Sequence, residues 1–193
     1  MERNNVMYRT MQSVLTTRDG ETNEAPVIEG YFAVFDSNYD IGYGMSESVA
    51  PGAFSETLAG DVRALIDHDT RLVLGRTTAH TLELREDSHG LWGKIYINPK
   101  DSEAMNLYER VKRGDVSQCS FGFEILSEET TFPADGEIHW RITKVKLYEV
   151  SCCTYPAYEE TGISARKKDR EQIEKRKSEA WKSALLKKLK GEK

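Results

Sequence analysis

VSQCSFGFEI, residues 116–125, alternates apolar and polar positions in a way that predicts a strand. Cys119, Phe121, Phe123 and Ile125 share one face, and Gln118, Ser120, Gly122 and Glu124 share the other. The first face is core. The second sets a hydroxyl beside a glycine, where a strand is weakened and another backbone or a ligand can come close. That position suits a nucleophile, but an ordinary solvent-facing serine is much the commoner occupant of such a place. The stretch alone does not separate the two.

Just upstream, DSEAMNLYERVKR (residues 101–113) predicts a helix that delivers the chain into this strand. Asp101 caps it, Glu103 sits in its first turn, and Ala104, Tyr108 and Val111 share a face. Lys112 and Arg113 close the last turn and Gly114 stops it. Just downstream, residues 132–136 carry the Pro and Gly of a turn. Residues 137–154 then read as a long extended run with Val145, Leu147, Glu149, Ser151 and Cys153 alternating on one face. A carboxylate in that company needs a bulge, or else an imidazole, cation or donor facing it.

Further out, VIEGYFAVF (residues 27–35) predicts a strand and residues 36–48 a long loop rich in Gly, Asn, Asp and Ser. PGAFSETLAG (residues 51–60) predicts a short helix with Phe54 and Leu58 on one face. VRALIDH (residues 62–68) alternates again and ends its apolar stripe on His68. Residues 72–74, 81–85 and 91–97 predict strands, the last two joined by a hairpin-sized loop at 86–90. Antiparallel sheet should dominate.

Residues 1–26 read as a loose polar arm with one strand around 7–15, residues 27–161 as one domain, and residues 162–193 as a charged helical tail. In that tail Ile173, Lys177, Trp181, Leu185 and Leu189 step by four, giving a narrow apolar seam; residues 166–176 read as a solvated helix. Charged residues are 31% of the 193 and hydrophobic ones 38%, which leaves material for one core and not two. The net charge of −5 divides unevenly: residues 166–193 hold 12 basic against 5 acidic side chains, so a body of about −12 carries a tail of about +7. The acidic body argues against nucleic acid as the main partner.

No apolar run approaches a membrane span, and the N-terminus lacks the apolar block of a secretory signal, so neither membrane nor export is expected. Three cysteines, two adjacent at Cys152 and Cys153, match neither a disulfide framework nor a zinc-ligand spacing. No phosphate-binding Gly-rich loop or nucleophile elbow is present either, and no cofactor or metal is expected. What remains is His68, Ser120 and an acid, all at strand positions. A serine nucleophile needs a base for its proton, and the imidazolium that forms needs a group to hold it.

The series ESVAPGAF (47–54), LIDHDTRLVLGR (65–76), HGLWGKIYI (89–97), SQCSFGFE (117–124) and LYEVSCCTYPAY (147–158) resembles the prohead maturation proteases of tailed bacteriophages, a family similar to the assemblin proteases of herpesviruses. The resemblance covers roughly residues 27–158. It implies an α+β, mostly β fold, an antiparallel β-barrel wrapped by helices, here with a charged C-terminal helix. It also implies a serine endopeptidase with His68 as base, Ser120 as nucleophile and Glu149 as third member. The herpesvirus relatives use a second histidine there, which keeps His139 as the alternative to Glu149. Arg76 is a candidate for positive charge near the site. The implied substrates are scaffold and major capsid precursor proteins, cut inside the immature phage head after synthesis in the host cytoplasm; self-cleavage and a homo-oligomer are left open. The contrasting expectation is a non-catalytic assembly module that binds coat protein through the tail helix.

Overall fold

The computed structural model describes residues 6–12, 15–19, 25–134, 136–155, 166, 169–179, 181 and 182. The strand expected around Ser120 is β10 (Gln118–Thr131), and it forms a long antiparallel hairpin with β11 (Ile138–Cys153) over the turn that contains Gly136. On the other edge of β10 lies β1 (Met7–Gln12), also antiparallel, with Thr10 opposite Ser120.

The far edge of β11 is shared. Its first part, Ile138–Ile142, pairs in parallel with β5 (Met45–Val49), and Glu149–Cys152 pairs in parallel with β6 (Arg63–Ile66). Outside these lie β4 (Tyr39–Gly42) against β5 and β7 (Asp69–Arg76) against β6. A second sheet runs β2 (Thr16–Arg18), β3 (Val27–Val34), β9 (Gly90–Tyr96), β8 (Leu82–Glu86), antiparallel throughout.

Helix α1 (Ser102–Arg113) leads into β10 as expected: Asp101 accepts from the N–H groups of Glu103 and Ala104, and Gly114 closes the helix at φ 89°, a conformation costly for residues with a Cβ. The two sheets bury Ile28, Phe32 and Ile95 against Phe121, Phe123 and Val150, with Leu107 and Tyr108 of α1 in the same cluster. Each such side chain contributes about 1.5–3 kcal/mol by leaving water. A smaller cluster gathers Ile41, Met45, Ile138 and Trp140, with Ile173 of the tail packed against it.

The expected closed antiparallel barrel is not what forms. The chain makes a seven-stranded mixed sheet and a separate four-stranded sheet, each with its own edges, with α1 packed on the main cluster and Ile173 of the tail helix on the smaller one. The reason lies along β11. Where β5 ends and β6 has not begun, the gap beside β11 is filled by turns, with Val145 N–H donating to the Ala53 carbonyl and Leu147 N–H to Thr57 Oγ, both at 3.0 Å. The Ala53 carbonyl, spent in this way, is not available to a helix, and residues 51–60 form successive turns instead of the expected short helix.

Other expectations also change. The polar stretch 36–48 holds β4 and β5, residues 7–12 and 16–18 each add a strand to a sheet, and the segment expected to be solvated near residue 166 is anchored. Arg166 is 2% exposed, stacks 4.5 Å from the Trp140 ring, and donates to Glu47 Oε1 and Glu128 Oε2, each at 2.6 Å. Residues 169–179 continue as helix, with Trp181 exposed beyond them; Leu185 and Leu189 of the expected seam lie outside the described residues.

Candidate active site

Strict alternation along residues 145–153 would place Glu149 and Ser151 with Val145 and Leu147. The pairing breaks this pattern: Gly122 faces Glu149 while the next residue, Phe123, faces Leu147, so Tyr148 is the extra residue of a bulge. Val145 and Leu147 enter the main core from one side of the break, and Val150 and Cys152 from the other. Glu149, Ser151 and Cys153 are thereby turned to the face of β11 that meets Ser120 and Gly122 on β10.

His68 reaches this face from the β6–β7 turn. Asp67 and His68 adopt φ values of 47° and 61°, a left-handed pair uncommon for residues with a side chain. The turn is held by its bonds to β11: Asp67 N–H donates to the Cys152 carbonyl at 3.1 Å, and the Asp67 carboxylate accepts from the N–H and hydroxyl of Thr154 at 2.7 and 3.0 Å.

So aimed, His68 Nδ1 lies 2.8 Å from Glu149 Oε1. A carboxylate only accepts, so Nδ1 carries a proton, and in the neutral ring Nε2 then presents its lone pair, the arrangement a general base requires. Ser151 braces the pair, since its hydroxyl donates to Glu149 Oε2 at 2.5 Å and accepts from the His68 backbone N–H at 3.2 Å. Gly122 leaves room for it: a Cβ there would run into Glu149 Oε1 and stand 2.9 Å from Tyr8 Cε1.

The structure thus brings His68 and Glu149 into contact, while Ser120, on the same face and directly opposite Ser151, is turned elsewhere. Ser120 is 0% exposed, and its hydroxyl donates to the Arg9 carbonyl of β1 at 2.9 Å instead of to His68 Nε2. Nε2 faces the Cys153 sulfur at 3.8 Å, and burial pushes that thiol up, away from thiolate. The Tyr8 ring packs on the imidazole with centroids 4.4 Å apart.

His139 sits at the opposite end of β11, between the hydroxyls of Ser46 (2.8 Å) and Ser48 (3.0 Å). Arg76 is engaged with Asp61 on the surface at 2.6 Å. Ser151 and Tyr8 were not singled out from the sequence; for Ser151 the signal was its place two residues after Glu149 on the same face, whereas nothing in residues 1–26 pointed to Tyr8. Among the described residues no group of three His, Cys, Asp or Glu side chains is placed to hold a metal ion, and no helix is long and apolar enough to cross a membrane.

Comparison with known proteins bears on this geometry. The family model described as Caudovirus prohead serine protease matches residues 13–176. The chain belongs to that family. It is 33% identical over 158 residues to the prohead protease of Enterobacteria phage HK97, an alignment covering 78% of this chain and 63% of the relative, so the chain spans less than two thirds of that protein's length. In fold it is similar to the bacteriophage T4 capsid assembly protease, with TM-score 0.53 and 11% identity over 79% of this chain and 98% of the other. The family match takes in His68, Ser120 and Glu149 and begins just after β1.

Proposed function

We propose that the chain is a serine endopeptidase that cleaves scaffold and major capsid precursor proteins during prohead maturation, working inside the immature head. Ser120 is the nucleophile, His68 the general base, and Glu149 the group that fixes the imidazole and stabilises its charged form. The observation that carries this reading is the Glu149–His68 pair, which leaves Nε2 as the basic nitrogen on the face that Ser120 shares. The names of the HK97 and T4 relatives, a prohead protease and a capsid assembly protease, support the setting.

In the reaction the Ser120 hydroxyl leaves the Arg9 carbonyl, gives its proton to His68 Nε2 and attacks the scissile carbonyl. The imidazolium, held by Glu149, returns the proton to the departing amine. On this reading residues 27–161 carry the chemistry and 162–193 form a docking tail. The non-catalytic alternative, an assembly module, draws on one observation, the turning of the Ser120 hydroxyl to Arg9.

Incubating the purified chain with an unprocessed capsid precursor tests the assignment. Ser120→Ala should lower cleavage by ~10³-fold or more with the fold unchanged, while Cys153→Ala keeps it within a few-fold. A Ser120→Ala chain that cuts at the wild-type rate would remove the serine from the mechanism, and a chain inert on every precursor both as wild type and with Tyr8→Ala, which uncovers His68, would favour the assembly module.

A further inference from the structure

β1 lies across the place where a protease must admit its substrate. Thr10 stands opposite Ser120, and the Ser120 hydroxyl is bonded to a backbone carbonyl, the functional group a serine nucleophile attacks. Tyr8 covers the face of His68, and with β1 in position Ser120 has no contact with solvent. We propose that β1 occupies the seat of the substrate: the edge of β10 receives an extended peptide by antiparallel strand addition, and Met7–Gln12 is an internal strand that must leave first. This inference rests on Ser120 being the nucleophile.

Three observations make β1 displaceable. It is a six-residue strand at the end of the larger sheet, paired among the described strands with β10 alone. An incoming peptide would remake the same kind of ladder, so the exchange costs little in backbone hydrogen bonds. And β1 is imperfectly seated. Arg9 donates through Nε to Glu47 Oε2 at 2.5 Å, but its Nη2 is buried with no hydrogen-bond partner, and a buried donor left unsatisfied is destabilising. The family match starts at residue 13, just after this strand.

The same contacts give the seat a preference. Glu47 is buried beside the Arg9 position, so a peptide with a basic side chain at that point of the strand should be favoured over one with an acidic side chain.

A small serine-reactive fluorophosphonate reads the occupancy of the seat in the full-length chain, with Ser120→Ala marking which label is on Ser120. Tyr8→Ala and Arg9→Ala should each speed labelling of Ser120 by about tenfold or more, and neither leaves Glu47 without any cation, since Arg166 remains. The synthetic peptide VMYRTMQ, added in excess, should slow the variants again, and the same peptide with glutamate for arginine should not. In the wild-type chain, independently of any variant, the peptide should accelerate hydrogen exchange of the Met7–Gln12 amides by competing for the edge. Equal labelling rates in all three chains, or a peptide that alters neither labelling nor exchange, would overturn the seat while leaving the nucleophile standing. Absence of any label on Ser120 in every chain would overturn the nucleophile, and the seat with it.

Discussion

At Gly122 the geometry leaves no margin. The residue has Glu149 on one side and Tyr8 on the other, and the position of a single methyl group is already taken. Gly122→Ala should therefore push Glu149 off His68 Nδ1 and lower cleavage by about 100-fold or more, with a smaller change in stability measured by urea unfolding. Wild-type activity in this variant would show that the Glu149–His68 contact is dispensable. The same contact ranks the two candidates for third member. Glu149→Gln should cost ~10³-fold in rate because an amide can present its NH₂ and favour the wrong imidazole tautomer, whereas His139→Ala, cut off between two serines at the far end of β11, should stay within a few-fold. Steady-state rates with a capsid-derived peptide decide it, and the opposite ranking would pass the role to His139. The family resemblance singled out His68, Ser120 and Glu149 from the quoted motifs and preferred Glu149 to His139. A carboxylate among apolar neighbours already called for a bulge or a partner, but no local pattern places the bulge at Tyr148 that turns Glu149 to His68.

Among the elements, those with strong local signals were legible and those made by pairing were not. Helix α1 carries its own cap, charge order and stop, and it forms over the span its residues predict; Asp101→Ala should cost about 1 kcal/mol in urea unfolding and leave cleavage unchanged, because the cap stabilises a helix that lies away from His68. An unchanged unfolding midpoint would mean the first turn is held by packing alone. β8 and β9 were likewise readable from alternation and their short loop. In contrast, β4 and β5 are polar along much of their length and exist because β11 offers β5 a parallel edge. The barrel expectation failed for a related reason. Alternation reports which residues face a core, but it does not report that one strand divides its edge between β5 and β6 and leaves turns in the gap.

On the scale of the whole molecule the two ends of the described chain meet on one side chain. Glu47 on β5 accepts from Arg9 of β1 through one oxygen and from Arg166 of the tail through the other, and Arg166 reaches on to Glu128. Nothing in the sequence spacing could show this, because the three residues are far apart in the chain and the tail's charge pattern also suits a solvated helix. Burial works to raise the Glu47 pKa, but the Arg9 and Arg166 guanidiniums override it and hold the carboxyl below its ordinary value of 4.5. A carboxyl depressed in the folded state binds its proton more readily when unfolded, so the stability it contributes is fully present above about pH 4.5 and is lost as pH falls through the lower, folded value. Arg166→Ala should therefore destabilise the chain at pH 7 by about 2 kcal/mol or more, partly through lost stacking on Trp140 and partly by leaving Glu128 and half of Glu47 without their cation. It should also flatten the acid limb of the stability curve below pH 4.5. A chain ending at residue 161 should behave in the same way while keeping the main cluster, to which no described residue of the tail contributes a side chain. Urea unfolding between pH 3 and 7 separates the outcomes. If either variant matched the wild type at pH 7 and retained its full acid sensitivity, the buried cluster around Glu47 would not be what fastens the tail to the sheet.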